Sequence, residues 1–177
     1  MSPYLKSFFL LLCLVASAYI SVTLPISEKG IPFTAQSLAV FVIAALVRPR
    51  EFLLIITAYL FLGIVGFPVF AEGTAGWEKI IGGSGGFLYG FLFSGLVISY
   101  LVDRESKNSF WSMILTMIIG TIVLFTFGLG HLTMKYGLVK AIEYGLTPFW
   151  MMALVKAGLA GILVFYYKRL RLSKNKA

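Results

Sequence analysis

The sequence predicts an all-α integral membrane protein with six transmembrane helices, and three observations lead to this fold class. Hydrophobic residues make up 59% of the 177 residues and charged residues only 12%, whereas about a quarter of a soluble domain is charged. Nearly the whole chain divides into apolar runs of about the length that a hydrocarbon layer requires. The basic residues gather between alternate runs. Because no segment remains for a soluble domain, we expect one membrane domain covering residues 1–177.

The distribution of basic residues predicts the orientation of the chain in the plasma membrane. If the amino terminus is cytoplasmic, ten of the 15 Lys and Arg residues lie in inner segments, four lie in outer loops, and one lies inside a run. This excess follows the positive-inside rule and predicts that both termini are cytoplasmic. Topology therefore explains the net charge of +8, and we expect no nucleic-acid partner. The inner ten are Lys6, Arg48, Arg50, Arg104, Lys107, Lys168, Arg169, Arg171, Lys174 and Lys176.

The first run, from about Leu5 to Leu24, carries a stripe of small residues. Cys13, Ser17 and Ser21 recur every four residues, so on a helix they would share one face. Small residues on one face let another helix pack closely. Two interpretations stay open, namely packing within this chain and docking onto a separate membrane protein.

The second run starts near Phe33 and ends at Val47, which is short for a helix that crosses a bilayer. Its beginning is polar, with Thr34 and Gln36 in the first turns. One interpretation is a partly non-helical lip over residues 31–36, which is tolerated at membrane depth only where it is buried in protein or lines a cavity. The other is an ordinary helix start, with Thr34 as the N-cap after a proline.

The third run ends near Val65, and an unusually apolar loop over residues 66–79 follows it. A loop of this composition is expected to fold back onto the protein rather than stand in water, because its apolar surface is better buried. Such a loop could act as a lid. Its aromatic residues Phe67, Phe70 and Trp77 could equally anchor the chain at the membrane interface.

A glycine-rich stretch over residues 82–91 leads into the fourth run. Gly82, Gly86, Gly90 and Ser94 stand four residues apart, which on a helix gives a bare face and close backbone approach. The first glycines also permit backbone conformations closed to other residues and leave amide groups free to meet a ligand. Their spacing matches neither the phosphate-loop nor the dinucleotide pattern, so we expect no nucleotide cofactor.

The fifth run, from Phe110 to about Leu132, carries the only histidine, His131, at its outer end. His131 could contact a ligand or accept a proton, but no second histidine accompanies it. A metal site needs several converging ligands, so we expect no metal and favour a structural role at the interface. The loop that follows offers Glu143 and Tyr144 to face the mouth of a site.

The sixth run begins at Pro148 and contains Lys156, the only permanently charged residue inside any run. A charge at the centre of a transmembrane helix costs about 2.5 kcal/mol or more, so the lysine needs a partner. Its ammonium could snorkel to an interface, although either end of the run is about two helical turns or more away. Otherwise its partner is a backbone carbonyl, a neutral side chain such as Gln36 or Ser84, water, or an anionic ligand that arrives from outside.

Three segments, in their order and spacing, carry a resemblance that covers nearly the whole chain. They are Ile31-Pro-Phe-Thr-Ala-Gln-Ser-Leu with Arg48-Pro-Arg, Leu62-Gly-Ile-Val-Gly-Phe-Pro-Val-Phe-Ala with Gly83-Ser-Gly-Gly-Phe-Leu-Tyr-Gly-Phe, and Pro148-Phe with Lys156-Ala. Together they resemble the biotin-specific membrane S components of energy-coupling-factor transporters, often called BioY.

The resemblance implies a six-span fold that captures biotin on the outer side. Such a protein docks on a transmembrane coupling subunit with two cytoplasmic ATPases and delivers biotin inward, without catalytic activity or a cofactor of its own. It also implies that the small-residue face of the first helix docks on the coupling subunit. Two alternatives remain: an S component for another vitamin or small carboxylic acid, and an intramembrane enzyme. An enzyme would need a base, a nucleophile or a metal site, and the runs offer only His131 and Lys156.

Two departures from the family pattern bear on the expected binding site. Met151, Met152 and Ala153 stand where the family usually has Pro, Gly and Asp, and Gly82-Gly-Ser-Gly-Gly-Phe stands where it has Gly-Pro-Thr-Gly-Gly-Tyr. The first departure removes a hydrogen-bonding group and a counter-charge near Lys156, which is expected to hold a polar or carboxylate end of the ligand. The polar lip and the glycine turn would meet the other polar groups, and aromatic residues would wall the apolar part. The expected ligand-binding residues are Lys156, Ser84, Gly85, Gly86, Gln36, Thr34, Phe33, Phe87, Tyr89, Phe149 and Ala153.

Overall fold

The structure of the protein is a computed structural model that describes residues 3–22, 33–105 and 109–174. Helices dominate the described residues, and two strands of two residues each pair in an antiparallel ladder. In chain order the elements are α1 (Pro3–Ala18), β1 (Ser21–Val22), β2 (Phe33–Thr34), α2 (Gln36–Leu46), α3 (Pro49–Ile64), a 3-10 turn (Ala71–Gly73), α4 (Trp77–Ile81), α5 (Gly85–Arg104), α6 (Phe110–Tyr136), α7 (Leu138–Ala141), a π-helical turn (Ile142–Leu146) and α8 (Trp150–Lys174).

The six predicted runs correspond to α1, α2, α3, α5, α6 and α8, and these helices differ in length. Three of them, α5, α6 and α8, are long and apolar enough to cross a membrane. The others are shorter, and α2, with 11 residues, is about 16 Å long, or about half of a hydrocarbon layer. The prediction of an all-α membrane protein is therefore confirmed at the level of fold class and of three candidate spans among the described residues.

The first helix ends six residues earlier than predicted, at Ala18 instead of Leu24. Beyond it, Ser21 pairs with Thr34 across the antiparallel ladder, so the backbone groups of this segment bond to a strand rather than to a helical turn. Ser21 therefore leaves the helix face that Cys13 and Ser17 occupy. The expectation that all three residues share one face is wrong for Ser21.

The polar entry to the second helix is extended, as the interpretation of a non-helical lip predicts. Thr34 lies in β2, and α2 begins only at Gln36, with Ala35 before it and no side-chain cap. The alternative, in which Thr34 caps the helix, is wrong. The residues before Phe33 in this lip lie outside the described part of the chain.

The apolar loop over residues 66–79 folds back onto the bundle, which confirms that prediction. Phe70 is 2% exposed, and its ring lies over Gly63, where an added Cβ would sit 2.0 Å from it. Phe67 and Trp77 stay exposed, so of the three aromatic residues only these two are free to anchor at an interface.

Glycines let the central helices approach closely. An added Cβ at Gly95 of α5 would lie 2.0 Å from the ring of Phe52, and one at Gly90 would lie 2.8 Å from Leu124 of α6. Gly86, Gly90 and Ser94 are all buried on α5, whereas Gly82 lies before the helix begins. The predicted bare face therefore exists from Gly86 onward and packs against α6.

Polar contacts at one end of the bundle show which helix ends lie together there. At this end Lys6 approaches Glu51 at 3.9 Å and Ser99 donates to the carbonyl of Val47 at 2.7 Å. We name this the basic end, because Lys6, Arg48 and Lys168 lie there, around the end of α2. The opposite end carries β1, β2, α4 and α7, and we name it the site end.

Candidate ligand-binding site

Lys156 is held at the site end by a backbone carbonyl. It lies six residues into α8, about 9 Å along the helix axis, and its Nζ donates to the carbonyl oxygen of Thr34 at 2.8 Å. That carbonyl is free for the lysine because Thr34 lies in the extended lip rather than in a helix. The contact favours a partner inside the protein over snorkelling, and a carbonyl was among the partners expected.

Three further side-chain hydrogen bonds continue from Thr34 into the protein. The hydroxyl of Thr34 donates to Gln36 Oε1 at 2.9 Å, and the Gln36 amide donates to the hydroxyl of Tyr59. The Tyr59 hydroxyl in turn donates to the carbonyl of Val69 at 2.9 Å. We name these five residues the polar chain; it joins α8, β2, α2, α3 and the loop after α3.

The charge of Lys156 is not matched by an acid in the described part of the chain. The ion pair found there joins Lys6 to Glu51 at the basic end. A lysine ammonium has three donors, and Thr34 takes one of them. A carbonyl also carries no net charge, so the site can accept a ligand with an anionic or carbonyl oxygen.

Aromatic residues from α5, α6 and the start of α8 lie together near the site end. The rings of Phe87 and Phe149 are 6.5 Å apart, and those of Phe87 and Phe125 are 6.1 Å apart. Gly128 makes room for Phe87, since an added Cβ there would lie 2.4 Å from its ring. Phe125 was not predicted, whereas Phe87 and Phe149 are two of the residues that the sequence predicts for the aromatic wall of the site. The side chain of Phe33 lies outside what the structure describes.

Two side chains of α6 contact backbone carbonyls at the start of the glycine turn, residues 82–86. His131 Nε2 lies 2.8 Å from the carbonyl oxygen of Gly82, and Lys135 Nζ donates to the carbonyl of Ile81 at 2.7 Å. These contacts satisfy carbonyls at the end of α4, where helical partners run out. His131 thus has the structural role that the sequence favours, and its ring also lies 6.1 Å from that of Tyr89.

Within the glycine turn, the predicted binding residues differ in what they can offer. Ser84 is exposed and precedes α5 without a side-chain cap bond. Gly85 donates its amide to Gly82 at 3.1 Å, and Gly86 is buried against His131. Ser84 therefore presents the accessible polar side chain, while the two glycines allow the turn and the close packing.

Ala153 lies one helical turn before Lys156 and is half-buried. Its amide donates to the carbonyl of Phe149 at 2.9 Å, so the backbone there is already helical. Ala153 therefore stays a predicted neighbour of the ligand on the same helix as Lys156.

The predicted docking residues of α1 separate in the structure. Cys13 is exposed, whereas Ser17 is 7% exposed and donates to the carbonyl of Leu14 at 2.6 Å. Ser21 lies in β1. The exposed small residues of α1 are Cys13 and Ala16, whereas Ser17 is buried within the chain.

Tyr59 and Val69 belong to the polar chain but were not identified from the sequence. Tyr59 stands in an apolar run, where its ring predicts burial and nothing else distinguishes it. The available signal is that a buried tyrosine hydroxyl needs a hydrogen-bond partner. The partners come from α2 and from the loop after α3, and neither is visible from local spacing.

An apolar groove of about 350 Å³ shares no lining residue with the polar chain. It runs between α6 and α8, and Phe125 and Trp150 are among its walls. It has few polar groups to orient a small acid, so the polar chain is the better candidate for ligand recognition.

Comparisons with known proteins agree on one family. The sequence model described as the BioY family matches residues 4–173. The chain is 30% identical over 162 residues to the biotin transporter BioY of Thermotoga maritima, covering 91% of this chain and 92% of that one. It is 34% identical over 163 residues to the biotin transporter BioY2 of Lactococcus lactis subsp. cremoris, covering 89% and 88% of the two chains.

A solved structure has the same fold. It is described as the S-component for biotin from an ECF-type ABC transporter, and it superposes with a TM-score of 0.77 at 20% sequence identity. The match covers 94% of this chain and 90% of that one. At this identity the likeness establishes the fold.

Proposed function

This chain belongs to the BioY family, and we propose that it is the membrane subunit that binds biotin for uptake. The family resemblance of the sequence is thereby confirmed. The observation that carries the proposal for the site is the bond from Lys156 to Thr34 at the head of the polar chain. It brings a cation with unused donors and a polar side chain together at one end of a membrane bundle, which suits a small carboxylic acid.

The proposed topology has six spans with both termini cytoplasmic, so that the site end faces outward. The excess of basic residues in the inner segments supports this orientation. Biotin would then be captured from outside, at the end that holds Lys156. The subunit would bind and release its substrate rather than transform it, as expected of a transporter subunit.

The proposed contacts follow from the chemistry of the residues at the site end. Lys156 would bind an oxygen of the ligand, and Thr34 and Gln36 would meet its other polar groups, with Ser84 approaching from the glycine turn. The backbone of Gly85 and Gly86 and the alkyl side chain of Ala153 would allow close approach. The aromatic wall would enclose the apolar part, and it comprises Phe33, Phe87, Tyr89 and Phe149.

Inward delivery is proposed to require a membrane coupling subunit and a pair of cytoplasmic ATPases. The name of the superposed structure, the S-component of an ECF-type ABC transporter, supports this arrangement. The exposed small residues Cys13 and Ala16 of α1 offer a place where a helix of the coupling subunit could pack closely.

The proposal is tested by titrating the purified full chain in detergent with biotin in a calorimeter. We expect binding at micromolar biotin or tighter, and a large loss of affinity in Lys156→Ala. Lys140→Ala is the matched control, because Lys140 is an exposed lysine of α7 at the same end. Absence of binding, or equal binding by Lys156→Ala, would overturn the proposal.

The alternative is an S component for another vitamin or small carboxylic acid. Ala153 is the reason for this alternative. The family usually has an aspartate at this position, which would hydrogen-bond a ligand and neutralise the charge of Lys156. Competition of labelled biotin by a panel of vitamins and small acids separates the two: a competitor that displaces biotin at much lower concentration than unlabelled biotin would identify the alternative.

A further inference from the structure

Tyr59 is the buried link between the candidate site and the loop after α3. The side chain is 0% exposed, and its ring packs edge-on against Phe70 with the centroids 5.6 Å apart. Its hydroxyl accepts a hydrogen bond from the Gln36 amide and donates one to the carbonyl of Val69. The buried Tyr59 hydroxyl is thus hydrogen-bonded both as an acceptor, to a side chain of α2, and as a donor, to a backbone carbonyl.

The direction of every hydrogen bond in the polar chain follows from its buried end. The Val69 carbonyl can only accept a hydrogen bond, so the Tyr59 hydroxyl donates its single proton to it at 2.9 Å. The Tyr59 oxygen then accepts, so Gln36 must turn its amide nitrogen toward it. Gln36 Oε1 therefore faces Thr34, whose hydroxyl proton is committed to it at 2.9 Å.

This direction decides what the site offers to a ligand. With its proton committed, the half-buried hydroxyl of Thr34 presents only lone pairs, so it can accept from a ligand N–H but cannot donate. Lys156, by contrast, can only donate. The two groups together suit a ligand that brings an N–H donor to one and a carbonyl or carboxylate oxygen to the other.

We propose that Tyr59 is a positioning residue that fixes the orientation of the Gln36 amide and so makes the Thr34 hydroxyl an acceptor for a ligand N–H. This assignment rests on the proposed function and adds a specificity rule to it. Biotin satisfies the rule, because its ureido ring has N–H groups beside a carbonyl oxygen. A ligand whose ring nitrogens lack hydrogen is rejected, because the acceptor at Thr34 is left without a donor.

Tyr19 provides a control for the structural role of Tyr59. Its hydroxyl donates to the carbonyl of Pro68, the residue immediately before Val69, so both tyrosines hold the same loop. Only Tyr59 also reaches Gln36. Tyr19→Phe therefore removes a loop contact alone, whereas Tyr59→Phe removes a loop contact and the group that orients Gln36.

The experiment measures the dissociation constants of biotin and of biotin methylated at both ureido nitrogens. The full chain, Tyr59→Phe, Tyr19→Phe and Gln36→Leu are compared in detergent. In the unaltered chain the methylated analogue should bind at least about tenfold more weakly, the equivalent of about 1.4 kcal/mol. Tyr59→Phe should weaken biotin binding about tenfold and reduce the ratio between the two ligands severalfold, because Gln36 is free to turn.

The controls separate positioning from loop support. Tyr19→Phe should leave the ratio between the two ligands unchanged even if it lowers the melting temperature, and the effects of Tyr59→Phe and Gln36→Leu should not add in the double variant. The assignment is overturned if the ratio of the dissociation constants of methylated biotin and biotin is the same in Tyr59→Phe as in the unaltered chain. The penalty of methylation would then be steric. Failure of the unaltered chain to bind biotin overturns the proposed function itself, and the specificity rule with it.

Discussion

The polar chain and the glycine turn lie at the same end of the bundle but are built in opposite ways. In the polar chain, side chains bond to one another from Thr34 through Gln36 to Tyr59, and the direction of these bonds is set from the buried end. Lys156 joins the chain through the backbone carbonyl of Thr34. In the glycine turn, the bonded groups are backbone carbonyls, and His131 and Lys135 reach them from α6. The difference supports the proposal that the polar chain recognises the ligand and that the glycine turn supports the site.

The largest effect is expected from a change that forces the glycine turn away from α6. Gly86→Ala adds a Cβ 2.4 Å from His131 Cβ and 2.7 Å from the carbonyl oxygen of Phe127. Overpacking of this kind costs about 1–3 kcal/mol or more, so we expect a clear drop in melting temperature and in folded yield. Gly83→Ala is the matched control, because its added Cβ would meet Tyr136 at an ordinary 3.5 Å. Equal stability of the two variants would contradict close packing at Gly86.

Much of the fold was predictable because it depends on local spacing. Runs of apolar residues identify the helices, and a lone lysine among them identifies a residue that needs a partner. Gln36 and Ser84 were named as possible partners of Lys156, and the structure instead gives it the Thr34 carbonyl, one of the backbone groups that the sequence left open.

What the sequence could not predict depends on contacts between distant segments. The end of α1 at Ala18 is set by pairing of Ser21 with Thr34, and no local sequence feature near Ser21 predicts that strand. The role of Tyr59 likewise depends on Gln36 and Val69, which come from a different helix and from a loop. Local spacing fixes which residues share a helix face, but the partners of a face are decided by packing across the whole bundle.

Two lysines that both donate to backbone carbonyls sharpen the comparison. Lys156→Met should weaken biotin binding about 10- to 100-fold, because a charge-assisted contact is lost. Its folded stability should be kept or raised, since removing a charge from a transmembrane helix avoids a cost of about 2.5 kcal/mol. Lys135→Met should instead lower stability and leave binding nearly unchanged. We expect a stability loss of about 1 kcal/mol, because its exposed bond to Ile81 is removed, and a change in biotin affinity of about twofold or less.

Calorimetry for affinity and thermal unfolding for stability check this pair of variants under one set of detergent conditions. The comparison fails if Lys135→Met loses as much affinity as Lys156→Met, because the turn would then contribute to recognition as strongly as the polar chain. It also fails if Lys156→Met unfolds, because the bond to Thr34 would then be structural first.

The smallest effect is expected for the one exposed hydroxyl of the glycine turn. Ser84→Ala removes a side chain with no cap bond to lose, so stability should stay within about 0.5 kcal/mol. Loss of its one proposed contact with the ligand should lower biotin affinity about threefold. Thr34→Val keeps the carbonyl that holds Lys156 but leaves Gln36 Oε1 without its donor, and it should cost about tenfold in affinity. If Ser84→Ala costs more than Thr34→Val, the ligand is read chiefly by the turn. The glycines of the turn would then position the main ligand contact, that of Ser84, and the polar chain would have the supporting role.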